Sequence, residues 1–110
     1  MKEERVLVVD DDRVIREGLQ RILKAEGYLV EALSGGRQAI DRLEEADFDL
    51  IITDLKMPGM SGLEVLQTIK SEHPDLPVIL ITGYAAIDNA VEVMKSGAAD
   101  YLAKPFANAE

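Results

Sequence analysis

The groups in this chain best able to do chemistry are carboxylates. Asp10, Asp11 and Asp12 stand in a row near the amino terminus, and Asp54 stands by itself in mid-chain. Thr82-Gly83 and Lys104-Pro105 add a hydroxyl and an ammonium further on. Carboxylates can hold a hard cation, and one of them can attack phosphorus while the others keep the ion. The chain has no cysteine and one histidine, so a clustered metal site would have oxygen donors alone, which selects a hard ion, and Mg²⁺ is the available one. Two carboxylates about 5 Å apart repel by roughly 3 kcal/mol at an effective dielectric of 20, so grouping Asp10, Asp11 and Asp54 would call for positive charge beside them.

The elements between these residues decide whether they can meet. Val6 to Val9 is an unbroken apolar run, the mark of a strand buried on both faces. Apolar residues at Ile15, Leu19, Ile22 and Leu23 form one stripe of a helix over 13–26, and Gly27 supplies its stop. A second strand is expected over 28–32. A second helix carries Ala39, Ile40 and Leu43 and ends near Ala46. Leu50 to Ile52 begins a third strand that stops at Asp54.

Lys56 to Met60 reads as a loop with Pro-Gly turn chemistry. Ser61 and Glu64 then have capping-box spacing, opening a helix through Leu63, Leu66 and Ile69 that ends at His73-Pro74. Val78 to Ile81 is the fourth strand. Ile87, Ala90, Val91 and Met94 share a face of a fourth helix closed by Gly97, and Tyr101-Leu102 is a short fifth strand. Strand and helix alternate throughout, which implies right-handed crossovers and a parallel sheet with helices on both faces. Ligands of such sheets bind at the carboxyl ends of the strands. Asp10 to Asp12, Asp54, Thr82 and Lys104 all fall there.

Size and charge narrow the options. At 110 residues the chain reads as one α/β domain. With 12 basic and 21 acidic residues its formal charge is −9, which disfavours direct contact with nucleic acid. The four-residue apolar run near the start is too short for a signal-peptide core or a membrane span, so a soluble, cytoplasmic protein is expected.

Val8-Val9-Asp10-Asp11, Ile51-Ile52-Thr53-Asp54, Met57-Pro58-Gly59, Ile81-Thr82-Gly83 and Lys104-Pro105-Phe106 together resemble the receiver domains of two-component response regulators. Thr82-Gly83-Tyr84 and the stretch from Gly97 to Leu102 are most similar to receivers of nitrogen-regulator-type transcription activators. The resemblance covers essentially the whole chain. It implies a flavodoxin-like sheet of order 2-1-3-4-5, one of the two common orders of doubly wound sheets.

The same resemblance implies a role for each site residue. Asp54 is the phosphoacceptor, taking its phosphoryl group from the phosphohistidine of a sensor histidine kinase. Asp11, Asp54 and the backbone carbonyl of Lys56 bind Mg²⁺, with Asp10 acting through water. Thr82 and Lys104 contact the phosphoryl oxygens, and Tyr101 is the switch aromatic that follows Thr82. The Lys104-Pro105 bond is expected to be cis. Output falls to an effector domain or downstream protein, with homodimerisation open. The domain catalyses only its own phosphorylation and dephosphorylation. Only four residues follow Phe106, so the final helix of such domains is expected to be largely missing and the chain to be a piece of a longer regulator.

Two other readings compete. Val9-Asp10-Asp11-Asp12-Arg13-Val14 also fits the Asp-x-Asp-x-Thr/Val pattern of haloacid-dehalogenase-type phosphatases, with Asp10 as nucleophile and Asp12 as acid/base. That leaves Asp54 unexplained and 110 residues without room for a cap. A pseudo-receiver would bind partners without being phosphorylated, but would be expected to lack one of the Asp, Thr or Lys positions. Asp12 also suits a helix N-cap, and His73, before Pro74, is expected to be exposed and inert.

Overall fold

The computed structural model describes residues 4–54, 59–60, 62–82 and 100–103. Their order is β1 (Arg5–Val9), α1 (Arg13–Ala25), β2 (Leu29–Leu33), α2 (Gly36–Glu45), β3 (Leu50–Asp54), α3 (Gly62–Glu72), β4 (Val78–Thr82) and β5 (Asp100–Ala103). The fourth helix expected through Ile87 and Met94 lies outside the described residues. The five strands form one sheet of order β2-β1-β3-β4-β5, and every pair is parallel.

Alternation along each strand feeds two cores. Leu7, Val9, Ile51, Val78 and Leu80 pack with Ala39, Ile40 and Leu43 of α2 and Val65, Leu66 and Ile69 of α3. Val6, Val8, Ile52 and Ile81 point the other way and pack with Leu19 of α1. Apolar burial on both faces is why the strands read as unbroken hydrophobic runs. It also confines polar chemistry to the strand ends.

Local differences from the sequence reading have physical causes. The second strand begins at Leu29 because the Tyr28 N–H is already given to Leu23 O at 3.1 Å. The Gly27 N–H goes to Lys24 O at 3.0 Å, with Gly27 at φ +98°, and the two bonds close α1 in a Schellman motif. Ile22 is 45% exposed and does not belong to the core stripe, which runs through Ile15, Leu19 and Leu23 at four-residue spacing. His73 is half-buried rather than exposed. Asp12 is the N-cap of α1, its Oδ1 accepting the Val14 N–H at 2.9 Å. Ser61 lies outside the described residues, so of the expected capping pair only Glu64, in the first turn of α3, is described.

The first turn of α2 packs tightly on the segment leading into α3. A Cβ added at Gly36 would stand 2.5 Å from Val65 Cγ2 and 3.3 Å from both Cβ and O of Met60. Val65 is fully buried and cannot swing away. Gly36→Ala gains helix propensity of up to about 1 kcal/mol but overpacks the contact at a cost of about 1–3 kcal/mol. The expected net effect is a loss of stability. In a denaturant double-mutant cycle with Val65→Ala, the pair should couple by at least about 0.5 kcal/mol, the smaller side chain making room for the new methyl. A Gly36→Ala chain as stable as wild type would show that α2 and α3 have slack at this point.

Candidate functional site at the carboxyl edge of the sheet

The strand register assembles the site. Val9 stands beside Thr53, so the residues that follow them, Asp10 and Asp54, emerge side by side from β1 and β3. Asp54 in turn stands beside Ile81, and Thr82 follows at the end of β4. Thr82 pairs with Ala103, which places the end of β5 next in the row, one residue before Lys104. Asp10 and Asp54 are buried while Asp11 is exposed, and one carboxylate oxygen from each lies within 4.8 Å of the others.

The β1–α1 turn that presents the first two aspartates is held from several sides. The Asp10 N–H donates to Leu33 O of β2 at 3.1 Å. Asp10 Oδ1 accepts the Asp12 N–H at 2.8 Å. Arg16 Nη1 donates to Asp10 O at 2.9 Å, and the Arg16 N–H donates to Asp12 O at 3.0 Å. Beyond β3, Gly59 has φ +80°, in the left-handed region that favours glycine.

Asp10, Asp11 and Asp54 are therefore brought together as expected. Thr82 and Tyr101 lie on β4 and β5, where their strand positions alone are described. Lys56 and Lys104 lie outside the described residues. The phosphatase pattern fares worse: its second aspartate, Asp12, is committed to capping α1 and is not in the carboxylate cluster. Arg16 was not singled out by its sequence position. The one clue there is a cation within the first four residues of α1, the end of a helix that favours anions.

Comparison with known proteins agrees with this geometry. Residues 6–110 match the response regulator receiver domain family. The response regulator protein FleR of Pseudomonas aeruginosa is 46% identical over 102 residues, covering 93% of this chain and 22% of FleR. The crystal structure of a response regulator receiver domain protein from Clostridium thermocellum has a TM-score of 0.88 at 36% identity, covering 94% of this chain and 83% of that one. The receiver domain of NtrX from Brucella abortus has a TM-score of 0.88 at 35% identity, covering 92% and 86%. The chain belongs to the response regulator receiver family: it is a receiver domain of two-component signalling, similar to those of nitrogen-regulator-type activators. It spans 22% of the length of FleR. Among the described residues no helix is long and apolar enough to cross a membrane.

The donor set fits Mg²⁺. All three groups are hard oxygen donors, and two of them are buried where charge is poorly screened. Opposite ligands on one Mg²⁺ lie about 4.2 Å apart, so a span of 4.8 Å is close to one coordination shell. Mg²⁺ at ten times its dissociation constant should stabilise the fold by about 1.4 kcal/mol, several degrees in melting temperature for a domain of this size. Asp11→Ala is the clean control, because Asp11 is exposed and its loss leaves the core intact. That variant should lose the Mg²⁺ response. A melting curve unmoved by Mg²⁺ in the wild type would remove the metal assignment.

Proposed function

We propose that Asp54 is the phosphoacceptor, and that the chain relays a signal by Mg²⁺-dependent transfer of a phosphoryl group from the phosphohistidine of a sensor histidine kinase. The observation that supports this most directly is the grouping of Asp10, Asp11 and Asp54 within 4.8 Å at adjacent strand ends. In the transfer, an Asp54 carboxylate oxygen forms a bond to phosphorus as the phosphorus–nitrogen bond to the donor imidazole breaks. The donor ring, already protonated on its other nitrogen, leaves with the phosphorus–nitrogen electron pair as neutral imidazole, and an acyl phosphate remains on Asp54.

Asp10, Asp11, Asp54 and the backbone carbonyl of Lys56 would hold the Mg²⁺, with Asp10 acting through water. The ion supplies charge neutralisation for the transferring oxygens, where phosphoryl-transfer catalysis is mostly positioning and electrostatics. Burial of Asp54 keeps its carboxylate poorly hydrated and fixed against the end of β3. Thr82 donates its hydroxyl to a phosphoryl oxygen, and the Lys104 ammonium pairs with another.

The switch follows from that contact. As the Thr82 hydroxyl turns toward the anion, Tyr101 takes up the space it leaves. The surface of the fourth helix and β5 then differs between two states whose balance a partner can read. That partner is an effector domain or a downstream protein, and self-association is a further outlet for the same surface. A chain with a charge of −9 is not itself the nucleic-acid contact.

Incubation with Mg²⁺ and acetyl phosphate should give an acid-stable, base-labile label, located by peptide mapping. Asp54→Asn should abolish it and Asp10→Asn should weaken it through the metal. Label undiminished in Asp54→Asn would sink the mechanism, and label on Asp10 would restore the phosphatase reading. The switch is tested separately with Thr82→Ala. That variant should accept phosphate on Asp54 without the wild-type change in NMR relaxation over residues 83–101.

A further inference from the structure

We propose that Arg16 is the positioning residue of the metal-binding turn, its guanidinium setting the register of Asp10 and Asp11 for the cation; this rests on the Mg²⁺ reading above. Among the described hydrogen bonds, those of Arg16 go to carbonyls and not to the cluster carboxylates. It acts on the backbone. Nη1 donates to Asp10 O at 2.9 Å in a part-buried contact, while the Arg16 N–H donates to Asp12 O at 3.0 Å. The guanidinium thus holds the carbonyl before Asp11, while the bond to the carbonyl after it is the first backbone bond of α1 and does not depend on the side chain.

The rest of the turn is locked in series with that grip. Asp10 Oδ1 takes the Asp12 N–H, Asp12 Oδ1 takes the Val14 N–H, and the Asp10 N–H is held by Leu33 of β2. Asp11 is exposed, so its direction is set by the backbone of its two neighbours rather than by packing. Without the Arg16 side chain, the Asp10 carbonyl loses a donor that holds the peptide joining Asp10 to Asp11.

The placement of this cation is unfavourable on other grounds. The first four residues of α1 contain no acid and two arginines, at the helix end that disfavours positive charge. Arg13 is accounted for by Glu17, whose Oε2 accepts from Arg13 Nε at 2.8 Å on the exposed face. Arg16 turns the opposite way, toward the strand end. A cation there also opposes a metal ion electrostatically. On the proposal its geometric contribution outweighs its charge, and this gives the proposal a sign. An arginine acting through charge alone weakens Mg²⁺ binding, so its removal would tighten it. An arginine acting through position strengthens binding, so its removal loosens it.

Mg²⁺ titration calorimetry on the full chain at fixed ionic strength decides between them, with amide hydrogen exchange at Asp12 as a second readout. Arg16→Ala should weaken Mg²⁺ by roughly tenfold, the scale on which supporting residues of metal ligands act. The Asp12 amide should exchange measurably faster in the metal-free protein. Arg16→Lys, which keeps the charge and one donor, should recover part of both. Arg16→Met, which keeps the aliphatic stem and has no donor, serves if Arg16→Ala does not fold. Equal or tighter Mg²⁺ binding in the folded Ala or Met variant, with Asp12 exchange unchanged, would overturn the proposal. A wild-type chain that takes up no Mg²⁺ would overturn the metal reading instead, and the Asp12 exchange would still report whether Arg16 holds the turn.

Discussion

Three carboxylates within 4.8 Å of one another repel by about 3 kcal/mol per pair at an effective dielectric of 20, and the structure must hold them together against that force. The parallel sheet does so by register. Because β1 and β3 pair from Val6–Leu50 to Val9–Thr53, their next residues have no choice but to emerge as neighbours. A one-residue slip would turn every apolar side chain of a strand to the opposite face, exchanging the α1 core for the α2–α3 core. The hydrophobic pattern that fixes register for stability therefore also fixes where the strand-end carboxylates stand. Asp10 and Asp54 are buried for the same reason: they stand at the ends of two apolar strands, inside the packing that covers both faces.

Burial on both faces leaves the sheet little room for polar groups except at its ends and edges. The outer strand β2 shows what an edge tolerates. Leu29 is 47% exposed there, and Glu31 is paired with Arg42 of α2 at 2.6 Å, with both side chains about a third exposed. Such a pair, partly screened by water, contributes little to stability. It does place charge on the strand whose free side could otherwise pair with another chain. The carboxyl edge is the contrasting case, where three carboxylates gather in spite of the cost, as the proposed chemistry requires.

Much of this was legible in the residues alone. Continuous apolar runs named the strands, and alternation with helical stretches gave the parallel sheet and its carboxyl-edge site. The order 2-1-3-4-5 came from the family resemblance and is the order observed. What escaped were features set by hydrogen bonds rather than by periodicity. Tyr28 looks like a strand residue, but its N–H closes α1. Ile22 has the right residue type and nearly the right spacing for the core, yet lies at the margin of a stripe that runs at four-residue intervals. Arg16 is invisible to a search for ligands because its contact is with a carbonyl, six residues back along the chain.

The same charge argument connects the site to the switch. Phosphorylation would replace one negative charge on Asp54 with nearly two, and would add oxygens that accept hydrogen bonds strongly. Asp10 and Asp54 are already buried at the strand ends, so the added charge cannot be relieved by a side chain swinging into water. It must be met by donors drawn from the neighbouring strand ends. β1, on one side of β3, contributes further acid; β4, on the other, ends in Thr82, with β5 beyond it. Beyond what the proposed Mg²⁺ offsets, the hydroxyl donor next to Asp54 in strand order is Thr82, on the β4–β5 side. On the proposed mechanism, that asymmetry in the order of strands is what gives the signal its direction, away from the aspartates of β1 and toward Thr82 and Tyr101.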